Sequence, residues 1–181
     1  MQESLEQNCP FCRTAVPETG DFSDLMRRVE ANDPVAICEM GHMRYEEGDY
    51  DRSLEYYAKA AVLGDIDAHF SLSCMYREGV GVEKDEKKLV HHLEEAAIGG
   101  DPFARSHLGV IEMRNGRPDR AVKHWIIAGK LGNDMSLENL KSNYREGLVS
   151  KEDFAAALRG HQAAVDATKS PQREMAETVL E

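Results

Sequence analysis

The sequence has no long hydrophobic run and is short of positive charge. No stretch of its 181 residues approaches the roughly 18 consecutive apolar residues that a transmembrane helix needs. The N-terminal residues are polar and acidic, so no signal peptide is expected. Lysine and arginine total 22 against 33 aspartates and glutamates, and the resulting net charge of −11 disfavours binding to nucleic-acid phosphates or to an anionic membrane surface. We therefore expect a cytoplasmic protein with neither nucleic-acid nor membrane partners.

Cysteine is also scarce, with four residues at positions 9, 12, 38 and 74. A disulfide framework is not expected, because the chain is neither very small nor marked for export. Cys38 and Cys74 lie in helical patterns and are expected to be reduced thiols. Cys9 and Cys12 flank Pro-Phe and form half of a zinc site, which needs four ligands in all. We therefore expect no cofactor, with zinc bound only if an upstream finger or a second chain completes the site.

Catalytic motifs are missing as well. The sequence contains no G-x-S-x-G, no H-E-x-x-H, no P-loop and no dinucleotide-binding fingerprint. The nearest approach to a metal-binding motif is His91-His92-Leu93-Glu94-Glu95, where His91 and Glu95 could share one helix face. Two ligands leave a metal site incomplete, and we interpret the segment as a solvated helix face. The sequence therefore predicts a protein that is not an enzyme and has no catalytic residues.

What the sequence does contain is a repeated pattern. Four units open on small residues spaced by 32, 36 and 32 positions, namely Ala36, Ala68, Ala104 and Ser136. Four positions later each unit has an apolar residue, namely Met40, Leu72, Leu108 and Leu140. Each unit contains two helix-length apolar patterns, and those of the second helices include Leu54, Tyr57, Ala61 and Val62, then Val90, Leu93, Ala97 and Ile98. Self-similarity at this period is typical of a stacked repeat array.

The ends of the units predict where helices start and stop. Asp33-Pro34 and Asp101-Pro102 each combine a capping aspartate with a proline at the first helical position. Three units end at a glycine suited to the left-handed position after a helix, namely Gly64, Gly100 and Gly132. We divide the chain into a flexible zinc-knuckle segment (1–20), a capping helix (21–33), a repeat array over 34–166 with units 34–65, 66–101, 102–133 and 134–166, and a mobile tail (167–181).

The second unit resembles the Sel-one-like repeat, a relative of the tetratricopeptide repeat. That pattern reads A-x-x-x-L-G-x-x-Y, then G-x-G-V-x-x-D-x-x-K-A, then K-A-A-x-x-G. The matching residues are Ala68, Leu72, Tyr76, Gly79, Gly81, Val82, Asp85, Lys88, Ala96, Ala97 and Gly100. The resemblance extends from residue 34 to about residue 166. In addition, the C-P-F-C-R run at Cys9–Cys12 is similar to the end of a RING-type zinc finger.

The resemblance implies an all-α fold, a right-handed α/α superhelical solenoid of about four helix-turn-helix repeats. The first helices of such an array line a concave face that holds other proteins. The chain is therefore expected to be a non-enzymatic scaffold or adaptor that binds a peptide or a helix. Projected onto this sequence, the partner-binding residues are His42, Phe70, Cys74, Arg77, Ser106, Val110, Glu138, Ser142 and Arg145.

Two alternatives stay open. The first is the substrate-binding part of a RING-type ubiquitin ligase, which would need a complete finger upstream of the repeats. The second follows from cysteine-rich relatives that are credited with binding or cleaving penicillin-like compounds. Those relatives carry a cysteine pair inside each repeat, whereas Cys38 and Cys74 occur singly at non-equivalent positions. The sequence indicates neither a particular partner nor an oligomeric state.

Overall fold

A computed structural model describes residues 22–168, which form nine α-helices joined by short turns. The helices are α1 Phe22–Glu30, α2 Pro34–Glu46, α3 Tyr50–Val62, α4 Ile66–Glu78, α5 Glu86–Ile98, α6 Pro102–Arg114, α7 Pro118–Lys130, α8 Asp134–Arg145 and α9 Lys151–Thr168. Between residues 22 and 168 there is no β-strand, which confirms the predicted all-α class. No helix in this range is both long and apolar enough to cross a membrane.

Aspartate side chains fix many of the helix starts. Asp33 Oδ1 accepts hydrogen bonds from the backbone N–H groups of Val35 and Ala36 at 3.0 and 3.4 Å. Asp101 caps α6 in the same way through the Ala104 N–H. Both aspartates precede a proline, which has no N–H of its own to satisfy in the first turn. These contacts confirm the two predicted helix starts.

Glycines in the left-handed conformation end the helices that were predicted to stop at them. Gly64, Gly100 and Gly132 have φ angles of +91°, +101° and +90°. A side chain at such an angle would be strained, so glycine is the residue that lets the chain reverse direction there. The next residue in each case, Asp65, Asp101 or Asn133, caps the following helix.

The described chain divides between Gly99 and Gly100 into two compact units, referred to here as unit 1 and unit 2. In unit 1, α2 packs on α3, α3 on α4 and α4 on α5, while α1 covers α2. Its core contains Val29, Ala36, Ile37, Cys38, Met40, Tyr57, Ala60, Ala61, Ala68, Leu72 and Met75. The predicted stripe on the second helices needs one correction, because Val62 and Ile98 are 87% and 77% exposed at the last positions of α3 and α5.

In unit 2, α7 is the helix against which the others pack. It contacts α6, α8 and α9, and α8 also contacts α9. The core cluster contains Ala121, Val122, Trp125, Leu140, Val149 and Ala157. Helix α9 continues to Thr168, so the first two residues of the predicted mobile tail are helical. The rest of that tail and the segment around Cys9 and Cys12 lie outside the described residues.

In two helix pairs, α2–α3 and α6–α7, a glycine of the first helix faces an aromatic ring of the second. A Cβ atom added to Gly41 in α2 would lie 2.7 Å from Tyr57 Cδ1 in α3. A Cβ atom added to Gly109 in α6 would lie only 2.7 Å from Trp125 Cδ1 in α7, well inside van der Waals contact. The corresponding residues of the repeat between them are a serine and a smaller leucine, Ser73 and Leu93. Where the first helix has serine in place of glycine, the second helix thus has leucine in place of the larger aromatic residue.

Candidate functional site

Four of the nine predicted partner-binding residues are buried, which corrects the expectation that they line an open face. His42 is 9% exposed, Phe70 7%, Cys74 3% and Ser106 0%. The helical period correctly groups them on the first helices, but neighbouring side chains cover that part of the helix surface. In this structure the four side chains are packed inside the protein. Their contact with a partner stays a prediction.

The other predicted residues are more accessible. Val110 is half-buried and packs against the core of unit 2. In unit 1, Arg77 is exposed in the last turn of α4, where it pairs with Glu78 at 3.0 Å. In unit 2, an exposed row on α8 consists of Glu138, Ser142 and Arg145. The spacing of four and three residues places this row on one face of the helix.

His42 is tied into a buried polar network in unit 1. Its Nδ1 atom forms a 2.6 Å hydrogen bond with Tyr57 Oη, and its Nε2 atom lies 3.6 Å from Cys38 Sγ. Nearby, the Ser53 hydroxyl donates to the backbone carbonyl of Gly41 at 2.9 Å. Buried polar groups that are bonded to one another in this way fix the position of one helix against its neighbour. This network accounts for His42 as a residue that joins α2 to α3.

A second histidine pair joins α4 to α5. The Nδ1 atoms of His69 and His92 lie 3.1 Å apart. Tyr76 stacks on the His92 ring, with centroids 5.7 Å apart and the ring planes within 6° of parallel. The Lys88 ammonium lies 4.9 Å from the centre of the Tyr76 ring, and the His91 ring lies 5.1 Å from that of His92. The pair is therefore held between aromatic and charged neighbours.

Both imidazoles of this pair are held neutral. Burial, together with the neighbouring His69, His91 and Lys88, lowers the pKa of His92 to about 4. Burial also lowers the pKa of His69, although the Glu95 carboxylate and a hydrogen bond to the backbone of Ala61 oppose that shift. A hydrogen bond between two Nδ1 atoms needs one N–H and one lone pair, so it forms while at least one ring is neutral.

Because of this pair, the free energy of unfolding is expected to fall as the pH falls. The pKa of His92 is lower in the folded chain than the ordinary value of about 6.5, so the unfolded chain takes up the proton first as pH falls. The contribution of neutral His92 to the free energy of unfolding is complete above about pH 6.5 and is lost toward pH 4. Between pH 7 and pH 5 we expect the free energy of unfolding to fall by about 1–2 kcal/mol more in the wild-type chain than in His92→Gln.

Urea denaturation of the wild-type chain and of His92→Gln at the two pH values measures this difference, with a chelator present so that no metal ion binds the histidines. Asp33, whose pKa Arg28 holds below its usual range, titrates in more acidic solution and is common to both chains. Asp101, whose pKa burial raises, is also common to both. Equal losses in the two chains would show that protonation of His92 is not linked to unfolding.

This pair was not predicted from the sequence, where only His91 and Glu95 were considered together and were interpreted as part of a solvated helix face. In the structure His91 is exposed, and it is His92 that faces α4. Comparison of the repeats could have found the pair. In the first repeat the corresponding positions are Ile37, which is in the core, and Tyr56, which packs against it. Two histidines at positions that a packed aliphatic and a packed aromatic residue occupy in the first repeat indicate a side-chain contact between helices.

The comparisons with known proteins agree with the helix-pair architecture. The model of the Sel1 repeat family matches residues 34–65 and 66–101. An uncharacterized protein of Neisseria meningitidis is 31% identical over 117 residues, which cover 64% of this chain and 25% of the relative. Protein sel-1 homolog 2 of Homo sapiens is 27% identical over 146 residues, covering 71% of this chain and 21% of the relative. This chain thus spans a quarter or less of the length of these curated relatives.

Two solved structures are similar. The crystal structure of a Sel1 repeat protein from Oxalobacter formigenes gives a TM-score of 0.67 at 26% identity, covering 82% of this chain and 64% of that one. The protective antigen c5321 of uropathogenic Escherichia coli, which displays an SLR fold, gives a TM-score of 0.65 at 26% identity, covering 82% of this chain and 34% of that one. Sel1 repeats are in general non-catalytic modules of protein–protein interaction. Residues 34–101 therefore match the Sel1 repeat model as two consecutive repeats, and the helical fold of the chain is similar to that of these Sel1 repeat structures.

Proposed function

We propose that this chain is a non-enzymatic scaffold that binds a peptide or helix of another protein through exposed side chains on the first helices of its repeats. The observation that carries the proposal is the pair of Sel1 repeats over residues 34–101. Such helix pairs present rigid rows of side chains, and rigid surfaces bind with a smaller loss of conformational entropy than mobile ones.

The exposed side chains suggest that the contact is polar. In unit 1, the guanidinium of Arg77 can exchange its exposed pairing with Glu78 for a bidentate pairing with a carboxylate of the partner. In unit 2, the row on α8 offers a carboxylate, a hydroxyl and a guanidinium in succession, at Glu138, Ser142 and Arg145. The buried residues beneath them, such as Cys74, then act by fixing the helix rather than by touching the partner.

Charge reversal tests this proposal once affinity capture and mass spectrometry have identified the main partner. Arg77→Glu combined with Arg145→Glu is expected to weaken binding of the purified partner at least tenfold, because each change places a negative charge where a cation is proposed to bind. The matched control is Arg52→Glu with Lys123→Glu, which reverses exposed charges on the second helices α3 and α7. Circular dichroism should be the same for all three chains. A larger loss of binding in the control would place the binding surface on the second helices.

The two alternative functions stay hypotheses. The ligase alternative depends on Cys9 and Cys12, which lie outside the described residues. The penicillin-binding alternative depends on the repeat cysteines, and Cys38 and Cys74 are buried at non-equivalent positions, 3% exposed in each case. Neither alternative has a supporting contact among residues 22–168.

A further inference from the structure

The His69–His92 pair has the separation of two ligands on one metal ion. An imidazole nitrogen binds zinc at about 2.0–2.1 Å, so two nitrogens that subtend 90–110° at the metal are about 2.9–3.4 Å apart. The observed Nδ1–Nδ1 distance of 3.1 Å lies inside that interval. A bound ion would replace this hydrogen bond, with the Nδ1 lone pairs of both rings directed at the metal.

Contacts with neighbouring groups restrain the orientation of the His69 and His92 rings. The His69 ring also hydrogen-bonds the backbone of Ala61, which restrains its orientation. The His92 ring is fixed by its parallel stack with Tyr76. The two ligands come from facing helices, α4 and α5, which are rigid elements that set the distance between them.

From this geometry we infer that His69 and His92 form a two-imidazole clamp for a divalent transition-metal ion such as Ni²⁺, Zn²⁺ or Cu²⁺, with Nδ1 of each ring as the ligand. Imidazole nitrogen suits these three ions, whereas Mg²⁺ and Ca²⁺ prefer oxygen. No group of three or more metal-ligand side chains occurs between residues 22 and 168, so water fills the remaining coordination positions. The clamp is therefore an open site whose ion exchanges with solution.

The consequence for the protein is a metal-dependent link between α4 and α5. An ion that binds only the folded chain raises the free energy of unfolding. At ion concentrations above the dissociation constant, this increase grows with the logarithm of the concentration. Glu95, whose carboxylate acts on the His69 ring, favours a cation there, whereas the Lys88 ammonium near His92 opposes one. Because α4 also carries Arg77, the ion would steady the helix that is proposed to contact a partner.

Nickel is the probe that tests the clamp most cleanly, since it does not oxidise thiols as Cu²⁺ does. The full chain carries Cys9→Ser and Cys12→Ser, which removes the other metal-binding sequence. Equilibrium dialysis is expected to give one Ni²⁺ per chain, and the melting temperature is expected to rise steadily with Ni²⁺ concentration. His69→Gln and His92→Gln should each abolish that rise. The matched control, His91→Gln, changes the exposed neighbour and should retain it.

A second measurement needs no substitution in the clamp. Titration with Zn²⁺, followed by NMR of the imidazole nitrogens, is expected to shift the Nδ1 resonances of His69 and His92 together. Two results would overturn the inference: a melting temperature that does not respond to Ni²⁺, or zinc-induced shifts confined to other histidines such as His161. An ordinary hydrogen bond between two neutral imidazoles predicts both of those results.

Discussion

Leu72→Ala is expected to lower the free energy of unfolding by about 2–5 kcal/mol, as truncations of buried leucines do. Leu72 is 2% exposed and lies in the core of unit 1 with Met40 and Tyr57. Removing its outer carbons leaves a cavity, because rigid helices on both sides cannot close the space. Urea denaturation followed by circular dichroism measures the loss.

The control for this truncation is Leu63→Ala in the same unit. Leu63 is 44% exposed at the end of α3, so the identical chemical change removes little buried area. Surface substitutions of this kind usually change stability by less than about 0.5 kcal/mol. Equal effects of the two truncations would show that the core of unit 1 has been assigned to the wrong residues.

Gly109→Ser is expected to destabilise the chain by about 1–3 kcal/mol, the usual effect of overfilling a packed core. The new Cβ atom would lie 2.7 Å from Trp125 Cδ1, and the indole cannot yield without losing the hydrogen bond that its Nε1–H donates to the Ser106 carbonyl at 3.2 Å. Trp125→Leu alone should also destabilise the chain, because it removes the indole ring that fills the space next to Gly109.

The combination of these two changes is expected to cost less than the sum of the separate effects. Gly109→Ser with Trp125→Leu reproduces Ser73 and Leu93, the natural pair at the corresponding positions of the preceding repeat. Residues in contact typically show coupling energies of about 0.5–3 kcal/mol in a double-mutant cycle. We expect a favourable coupling of at least about 1 kcal/mol, measured by chemical denaturation of all four chains. Strict additivity would mean that the two positions do not determine the helix spacing together.

Much of this architecture could be predicted from the sequence because it depends on local chemistry. An aspartate before a proline starts a helix wherever it occurs, as at Asp33 and Asp101. A glycine at the end of an apolar pattern permits a left-handed turn, as at Gly64. The repeat of these signals at 32 and 36 residues then specifies the order of the helices.

The exposure of the candidate site could not be predicted in the same way. The helical period places Phe70, Cys74 and Arg77 on neighbouring positions of α4, but only Arg77 reaches solvent. Which positions are covered depends on the side chains of other helices, and one helix carries no information about them. The same limit explains why Val62 was expected in the core and the partner of His92 was missed.

NMR titration of the isotope-labelled chain with the identified partner segment tests the proposed function most directly. If the first helices form the binding surface, the largest chemical-shift changes will lie near Arg77 in α4 and over residues 138–145 in α8. The changes in α3, α5 and α7, which are second helices of the repeats, will be small. Changes concentrated in those second helices, with α4 and α8 unaffected, would contradict the account.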